Sequence, residues 1–82
     1  MLLTYSAFQA LDRQQQDCYV HLHGQFMAHR WLENYSIELY SLGSFYCERW
    51  LEQECRHLPE YRSFSTDECL AWYPSQLQQA PY

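Results

Sequence analysis

The sequence predicts a small α+β protein with an N-terminal helix, a four-stranded antiparallel β-meander and a short C-terminal helix. Residues 35–52 carry two runs of period-two character around Gly43, one of only two glycines, which is the pattern of a β-hairpin. Helical spacing precedes these runs, and a helix-capping sequence follows them. The 82 residues suffice for one core, so residues 1–82 are expected to form a single domain with segregated helices and strands.

Composition narrows the possible partners. The formal net charge is −5, and all five cationic side chains are arginines. This acidity argues against sequence-independent binding of nucleic acid and against an anionic membrane surface, because both require an excess of positive charge. The first residues lack a basic start and a long apolar run, so no signal peptide is expected. We therefore expect a cytoplasmic protein whose four cysteines are reduced thiols.

The N-terminal part contains one clear helix. Residues 1–10 are apolar without a clear period, and a short strand, a turn of helix and an arm lying on the core all remain open. From Asp12 the pattern is helical, because Asp12 and Gln15 have the spacing of a capping box and apolar residues recur at helical intervals. Gly24 stands where a helix commonly ends. The predicted helix runs from Asp12 to His23.

Four strands are predicted after Gly24. Glu33 and Asn34 would connect the first two strands, and Pro59 restricts the fourth to an edge of the sheet. The competing interpretation is one helix from 26 to 42, since good helix formers occur there. Alternation and aromatic enrichment favour strands. The predicted strands are Gln25–Leu32, Tyr35–Leu42, Phe45–Glu52 and Glu60–Phe64.

The register of the central hairpin can be predicted from side-chain character. A three-residue loop, 43–45, places Leu42 opposite Tyr46 and Ile37 opposite Leu51, and it separates aliphatic from polar and aromatic side chains better than a two-residue loop does. One face then carries Ile37, Leu39, Cys47 and Leu51, with Arg49 as the misfit. The other face carries Glu38, Tyr40, Leu42, Tyr46, Glu48 and Trp50.

The C-terminal part begins with a second capping signature. Residues 65–68, Ser-Thr-Asp-Glu, have the form of a capping box and predict a short helix through Tyr73, which Pro74 would end. Residues 53–58 are expected to form a polar turn, and residues 75–82 a polar tail.

The hairpin sequence also carries a resemblance. Residues 39–50, LYSLGSFYCERW, followed by RSFST at 62–66, resemble a class of short bacterial proteins that has no known activity. Members of that class usually have aliphatic residues at the positions of Cys47 and Arg49, so this chain departs from the pattern there. The resemblance covers about half of the chain and implies the meander. It implies no activity and no site residues.

Residues that could carry chemistry are present but poorly arranged. Glu38 and Glu48 share the predicted polar face and could act as an acid and a base, although charged residues on a solvent-facing sheet explain them more simply. The sequence contains no glycine-rich loop that could form the oxyanion hole needed for nucleophilic catalysis. A zinc site lacks any C-x-x-C pair, so no metal and no cofactor are expected. The soft and imidazole side chains considered for zinc are Cys18, His21, His23, His29, Cys55, His57 and Cys69.

The predicted aromatic face suggests a function without catalysis. If helices cover one face of the meander, the other exposes large rings with an acidic rim, which is the composition of a protein contact surface. Coverage by the N-terminal segment or the tail is the alternative. We expect a non-catalytic protein-interaction module or accessory subunit that contacts protein, either a second copy in a homodimer or another chain, through this face or an edge strand. The other hypothesis is a Cys/His zinc- or ligand-binding domain or a minimal enzyme. The partner-binding residues predicted are Tyr40, Leu42, Tyr46, Trp50, Glu38 and Glu48.

Overall fold

The protein has the α+β architecture that the sequence predicts. The computed structural model describes residues 2–54 and 59–73. The strands form one antiparallel sheet in the order β1-β2-β3-β4, which confirms the meander. The elements are α1 (Tyr5–Gln9), α2 (Arg13–His23), β1 (Gln25–Leu32), β2 (Tyr35–Ser41), β3 (Tyr46–Glu52), β4 (Glu60–Phe64) and a 3₁₀ helix (Asp67–Trp72).

Helix α2 begins and ends as predicted. The Asp12 carboxylate accepts the Gln15 backbone N–H at 2.8 Å, and the Gln15 side chain accepts the Asp12 N–H at 3.1 Å, so the capping box is complete. Gly24 caps the other end, where its N–H donates to the Val20 carbonyl. A Cβ at Gly24 would lie 2.6 Å from that carbonyl oxygen, so the close approach requires glycine.

The first ten residues, for which the sequence left three possibilities, contain a single turn of helix. Thr4 caps α1 by accepting the Ala7 N–H at 3.1 Å. Phe8 points into the core and is fully buried. The segment thus contributes an aromatic anchor to the core despite having no apolar period.

Strands β1 and β4 have the predicted bounds, and β2 and β3 are each one residue shorter than predicted at the hairpin end. β2 ends at Ser41 and β3 begins at Tyr46, and the alternative helix over 26–42 is wrong. Glu33, in the loop between β1 and β2, has a positive φ of 53°. Gly43 lies in the loop between β2 and β3 with φ of 90°, the conformation for which a glycine was expected.

The predicted register of that hairpin is wrong by one residue. Ile37 pairs with Trp50 and Ser41 pairs with Tyr46, and the Leu42 N–H donates to the Phe45 carbonyl at 2.9 Å, so the loop is the two residues 43–44. A shift of one residue exchanges the faces of one strand relative to the other. The prediction assumed one apolar and one polar face, whereas both faces of the central hairpin are covered.

The two faces pack against different parts of the chain. On the helical face, side chains of β2 and β3 meet α1 and α2; on the C-terminal face, they meet the 3₁₀ helix. The buried cluster on the helical face is Phe8, Val20, Leu42, Phe45 and Cys47. The buried cluster on the C-terminal face is Ala28, Leu39, Cys69 and Tyr73.

The predicted C-terminal helix is present as a 3₁₀ helix. Its cap is Thr66, whose hydroxyl accepts the Glu68 N–H at 3.5 Å, rather than Ser65. Tyr73 follows it and is buried. The predicted tail at 75–82 and most of the predicted turn at 53–58 lie outside the described residues.

Candidate functional site

The six residues predicted to form one contact surface lie on opposite faces of the sheet. Because of the corrected register, three belong to the helical face and three to the C-terminal face. Leu42 and Glu48 are fully buried and Trp50 is 8% exposed, so these three cannot form the exposed patch or its acidic rim. Glu38 and Glu48 also cannot act as a pair. The helical-face residues are Glu38, Tyr40 and Leu42, and the C-terminal-face residues are Tyr46, Glu48 and Trp50.

Each of the two carboxylates instead anchors its own polar network. On the C-terminal face, the buried Glu48 carboxylate accepts from Arg30 Nε and Nη2 at 3.2 Å and from Trp50 Nε1 at 3.0 Å. The Tyr73 hydroxyl also donates to it. The network joins β1, β3 and the residue after the 3₁₀ helix, and it satisfies a charge that would otherwise be costly to bury.

The Arg30 guanidinium in this network is surrounded by aromatic rings. Its central carbon lies 5.5 Å from the Trp50 ring centroid, 5.3 Å from that of Trp72 and 5.4 Å from that of Tyr73. Arg62 lies 4.0 Å from the Trp50 ring. These contacts supply cation–π attraction beside the ion pair and fix the 3₁₀ helix over the sheet.

The chemistry of the Glu48 network is that of a structural anchor. Burial and the hydrogen bond to Glu48 raise the pKa of Tyr73, so this phenol keeps its proton as a donor. Both carboxylate oxygens of Glu48 already accept hydrogen bonds from Arg30, Trp50 or Tyr73. With both oxygens occupied by donors from within the protein, this carboxylate connects β1, β3 and the residue after the 3₁₀ helix.

The network on the helical face connects α2 to the sheet. Arg49 Nη1 lies 3.2 Å from Glu38, and the Tyr40 hydroxyl donates to the same carboxylate oxygen at 2.9 Å. Asp17 of α2 accepts from Tyr61 and lies 3.9 Å from Arg49 Nε. Burial and Glu38 raise the pKa of Tyr40 to about 12, while burial and Asp17 raise that of Tyr61. Arg49, the misfit of the sequence analysis, thus bridges two carboxylates.

Two concavities accompany these elements. A cavity of about 160 Å³ adjoins Arg49 and is lined by Val20, His21, Gly24, Tyr40 and Arg49. A more open groove of about 490 Å³ runs between the N-terminal segment and α2, and it is lined by two leucines, a tyrosine, a cysteine and two glutamines. Neither lining pairs a nucleophile with a base and an orienting group, which nucleophilic catalysis requires. The groove residues are Leu3, Leu11, Gln14, Gln15, Cys18 and Tyr19.

The described members of the Cys/His set considered for zinc do not form a metal site. Within residues 2–54 and 59–73, no three His, Cys, Asp or Glu side chains come together in a way that could hold a metal ion. Cys55 and His57 fall outside those ranges. Cys18 is exposed, whereas Cys47 and Cys69 are buried, and all three are free cysteines.

Three large apolar side chains of β1 face solvent. Phe26 is 55% exposed and Trp31 is 58% exposed, and Leu32 follows at the end of the strand. The Phe26 ring packs edge-on against Tyr40, and the Trp31 ring packs edge-on against His29, which bonds Ser36. β1 is an edge strand, since it pairs with β2 alone in the described part of the sheet.

A β-bulge determines which way these rings point. The pairing with β2 shifts by one residue between Phe26 and Ala28. In a regular strand, residues five apart face opposite sides, but the extra residue places Phe26 opposite Tyr40 and Trp31 opposite Ser36, on the helical face. Both exposed rings therefore lie on the same side of the edge.

Arg30, Tyr73 and Trp72 belong to a network that the sequence did not predict. Arg30 and Tyr73 contact Glu48 from 18 and 25 residues away along the chain, and Trp72 contacts Arg30. No local motif links these residues. The one available signal was composition, because a chain whose cations are all arginine favours planar contacts with carboxylates and rings.

Comparisons with known proteins supply no functional assignment. No family model matches the chain, and neither the curated proteins nor the solved structures provide a match. No helix among the described residues is both long enough and apolar enough to cross a membrane.

Proposed function

We propose that this protein is a small, non-catalytic cytoplasmic module that binds protein through the edge of β1. The observation that carries the proposal is the pair of half-exposed rings, Phe26 and Trp31, on one side of an edge strand that pairs with β2 alone in the described part of the chain. Large exposed aromatic side chains mark contact surfaces, and a free edge offers backbone groups to an incoming strand.

The contrast between the two edges of the sheet supports β1 as the contact. β4 is five residues long, follows Pro59 and carries the charged pair Glu60 and Arg62, which are common ways of blocking an edge. β1 is eight residues long and contains no proline, no lysine and no carboxylate. The proposal moves the predicted contact from the centre of the sheet to its edge, because Leu42, Glu48 and Trp50 are occupied in the core.

The non-catalytic part of the proposal is supported by how the titratable groups are used. The carboxylates of Glu38 and Glu48 each accept hydrogen bonds from an arginine and a tyrosine and connect elements of the fold. Free thiols at Cys18, Cys47 and Cys69 are compatible with a reducing compartment.

Site-specific photocrosslinking tests the proposal. A photoreactive aromatic amino acid replaces Trp31 in one variant and Trp72 in a control. Trp72 is also a half-exposed tryptophan, at 48%, but it packs against Phe64 on the C-terminal face of the sheet. In cells that express each variant, we expect covalent protein adducts from position 31 in clear excess over position 72. Equal yields from both positions, or no adduct from position 31, would refute the module.

A further inference from the structure

We propose that the partner of the β1 edge is a second copy of this chain. The two β1 strands would pair antiparallel across a two-fold axis perpendicular to the sheet and join two four-stranded sheets into one of eight strands. This inference rests on the proposed function, since it names the partner of the same edge.

Self-complementarity of β1 is the first support. Phe26 lies near the start of the strand and Trp31 near its end, and the bulge places both on the helical face. A two-fold axis perpendicular to the sheet keeps each face on its own side and sets the start of one strand beside the end of the other. Phe26 of one copy therefore comes next to Trp31 of the other, and the symmetry makes this contact twice.

Charge is the second support. The chain carries a net charge of −5, so two copies repel each other wherever carboxylates face carboxylates. Each of β2, β3 and β4 contains at least one glutamate, whereas β1 contains none. The single charged side chain of β1, Arg30, is held by Glu48 of its own copy. An edge without carboxylates is the place where two acidic molecules approach at the lowest cost.

The size of the contact sets its strength. Aromatic side chains bury about 150 to 250 Å² each when fully covered, and those of Phe26 and Trp31 are already half covered. A strand pair with two such rings from each copy falls below the area typical of permanent dimers, roughly 2,000 Å² or more. We infer a reversible dimer that dissociates on dilution.

Sedimentation equilibrium with a matched pair of charged variants tests this pairing. Phe26→Lys and Trp31→Glu, each alone, should weaken self-association by about 30-fold or more, since each removes an aromatic anchor from both symmetric contacts. An equimolar mixture should associate again, because one contact then joins lysine to glutamate while the other keeps its phenylalanine and tryptophan. Raising the salt concentration should weaken the mixed dimer more than the unmodified dimer.

Controls and contrary outcomes separate this inference from the proposed function. Trp72→Ala should leave self-association unchanged, and thermal unfolding should show that every variant folds. A monomeric unmodified protein at millimolar concentration, or a mixture that stays monomeric, would overturn the pairing. If photocrosslinks from position 31 reach only other proteins, the proposed protein-binding function is kept and the proposal of a second copy as partner is wrong. If no adduct forms, both proposals are wrong.

Discussion

Replacing Glu48 with glutamine probes the anchor on the C-terminal face. Glu48 is fully buried, and its carboxylate accepts from Arg30, Trp50 Nε1 and the Tyr73 hydroxyl. Glutamine has nearly the same shape but carries one acceptor oxygen and an NH₂ group. The NH₂ group would meet donors, and Arg30 would lose its counter-charge in a site only partly open to water, with 24% of its side chain exposed.

The magnitude follows from that geometry. Breaking a buried ion pair costs about 3 to 5 kcal/mol, and the partial exposure of Arg30 places this case near the lower end, about 3 kcal/mol. A loss of 1 kcal/mol lowers the midpoint of thermal unfolding by about 4 to 8 °C in a domain of this size. We therefore expect Glu48→Gln to fold but to unfold roughly 12 to 24 °C below the unmodified protein.

The assay is urea and thermal unfolding followed by tryptophan fluorescence and circular dichroism. The matched control is Glu52→Gln, which makes the same change at an exposed position of β3 and should alter stability by less than about 0.5 kcal/mol. In a double-mutant cycle with Tyr73→Phe, we expect a coupling of about 0.5 to 3 kcal/mol, because both changes remove the same contact. Equal effects of Glu48→Gln and Glu52→Gln would refute the anchor.

Two further predictions concern the central hairpin. Gly43→Ala should destabilise the protein by about 1 to 2 kcal/mol in urea unfolding, because φ is 90° at this position, whereas Ser44→Ala in the same loop should have little effect; equal losses would contradict the backbone argument. Burial and Glu38 raise the folded-state pKa of Tyr40 to about 12, above the value of about 10 expected in the unfolded chain. The stabilisation from the protonated Tyr40 hydroxyl is therefore complete below about pH 10 and is lost as the pH rises through about 12. Tyr40→Phe should make the alkaline fall in the free energy of unfolding less steep. Identical slopes of free energy against pH for the variant and the unmodified protein would argue against this role.

Local signals in the sequence predicted the secondary structure well. The capping box at Asp12 and Gln15 located the start of α2, and period-two alternation bounded by turn residues gave β1 and β4 their observed limits. These features depend on residues close in the chain. A turn of helix at 5–9 was left open because its main contact, the burial of Phe8, is made with residues far along the sequence.

The candidate site could not be predicted for the same reason. The hairpin register was chosen by separating apolar from polar side chains, a rule that holds when one face of a sheet meets water. In this protein both faces of the central hairpin are covered, and Glu48 and Arg49 are accommodated by partners from other strands and segments. Only the three-dimensional pairing shows that a charged side chain belongs in the core. The bulge in β1, which orients Phe26, likewise has no glycine or proline to mark it.

The alternation of Glu48 and Arg49 also affects how the chain avoids misfolding. These neighbours point to opposite faces, and each finds its counter-charge only when Leu39 lies opposite Glu48. A hairpin mispaired by one residue would bring Glu48 to the side of Glu38, two carboxylates in one poorly hydrated layer, and would leave Arg30 without its counter-charge. Such an intermediate lies well above the native state in free energy. The two networks therefore act as a check on strand pairing during folding.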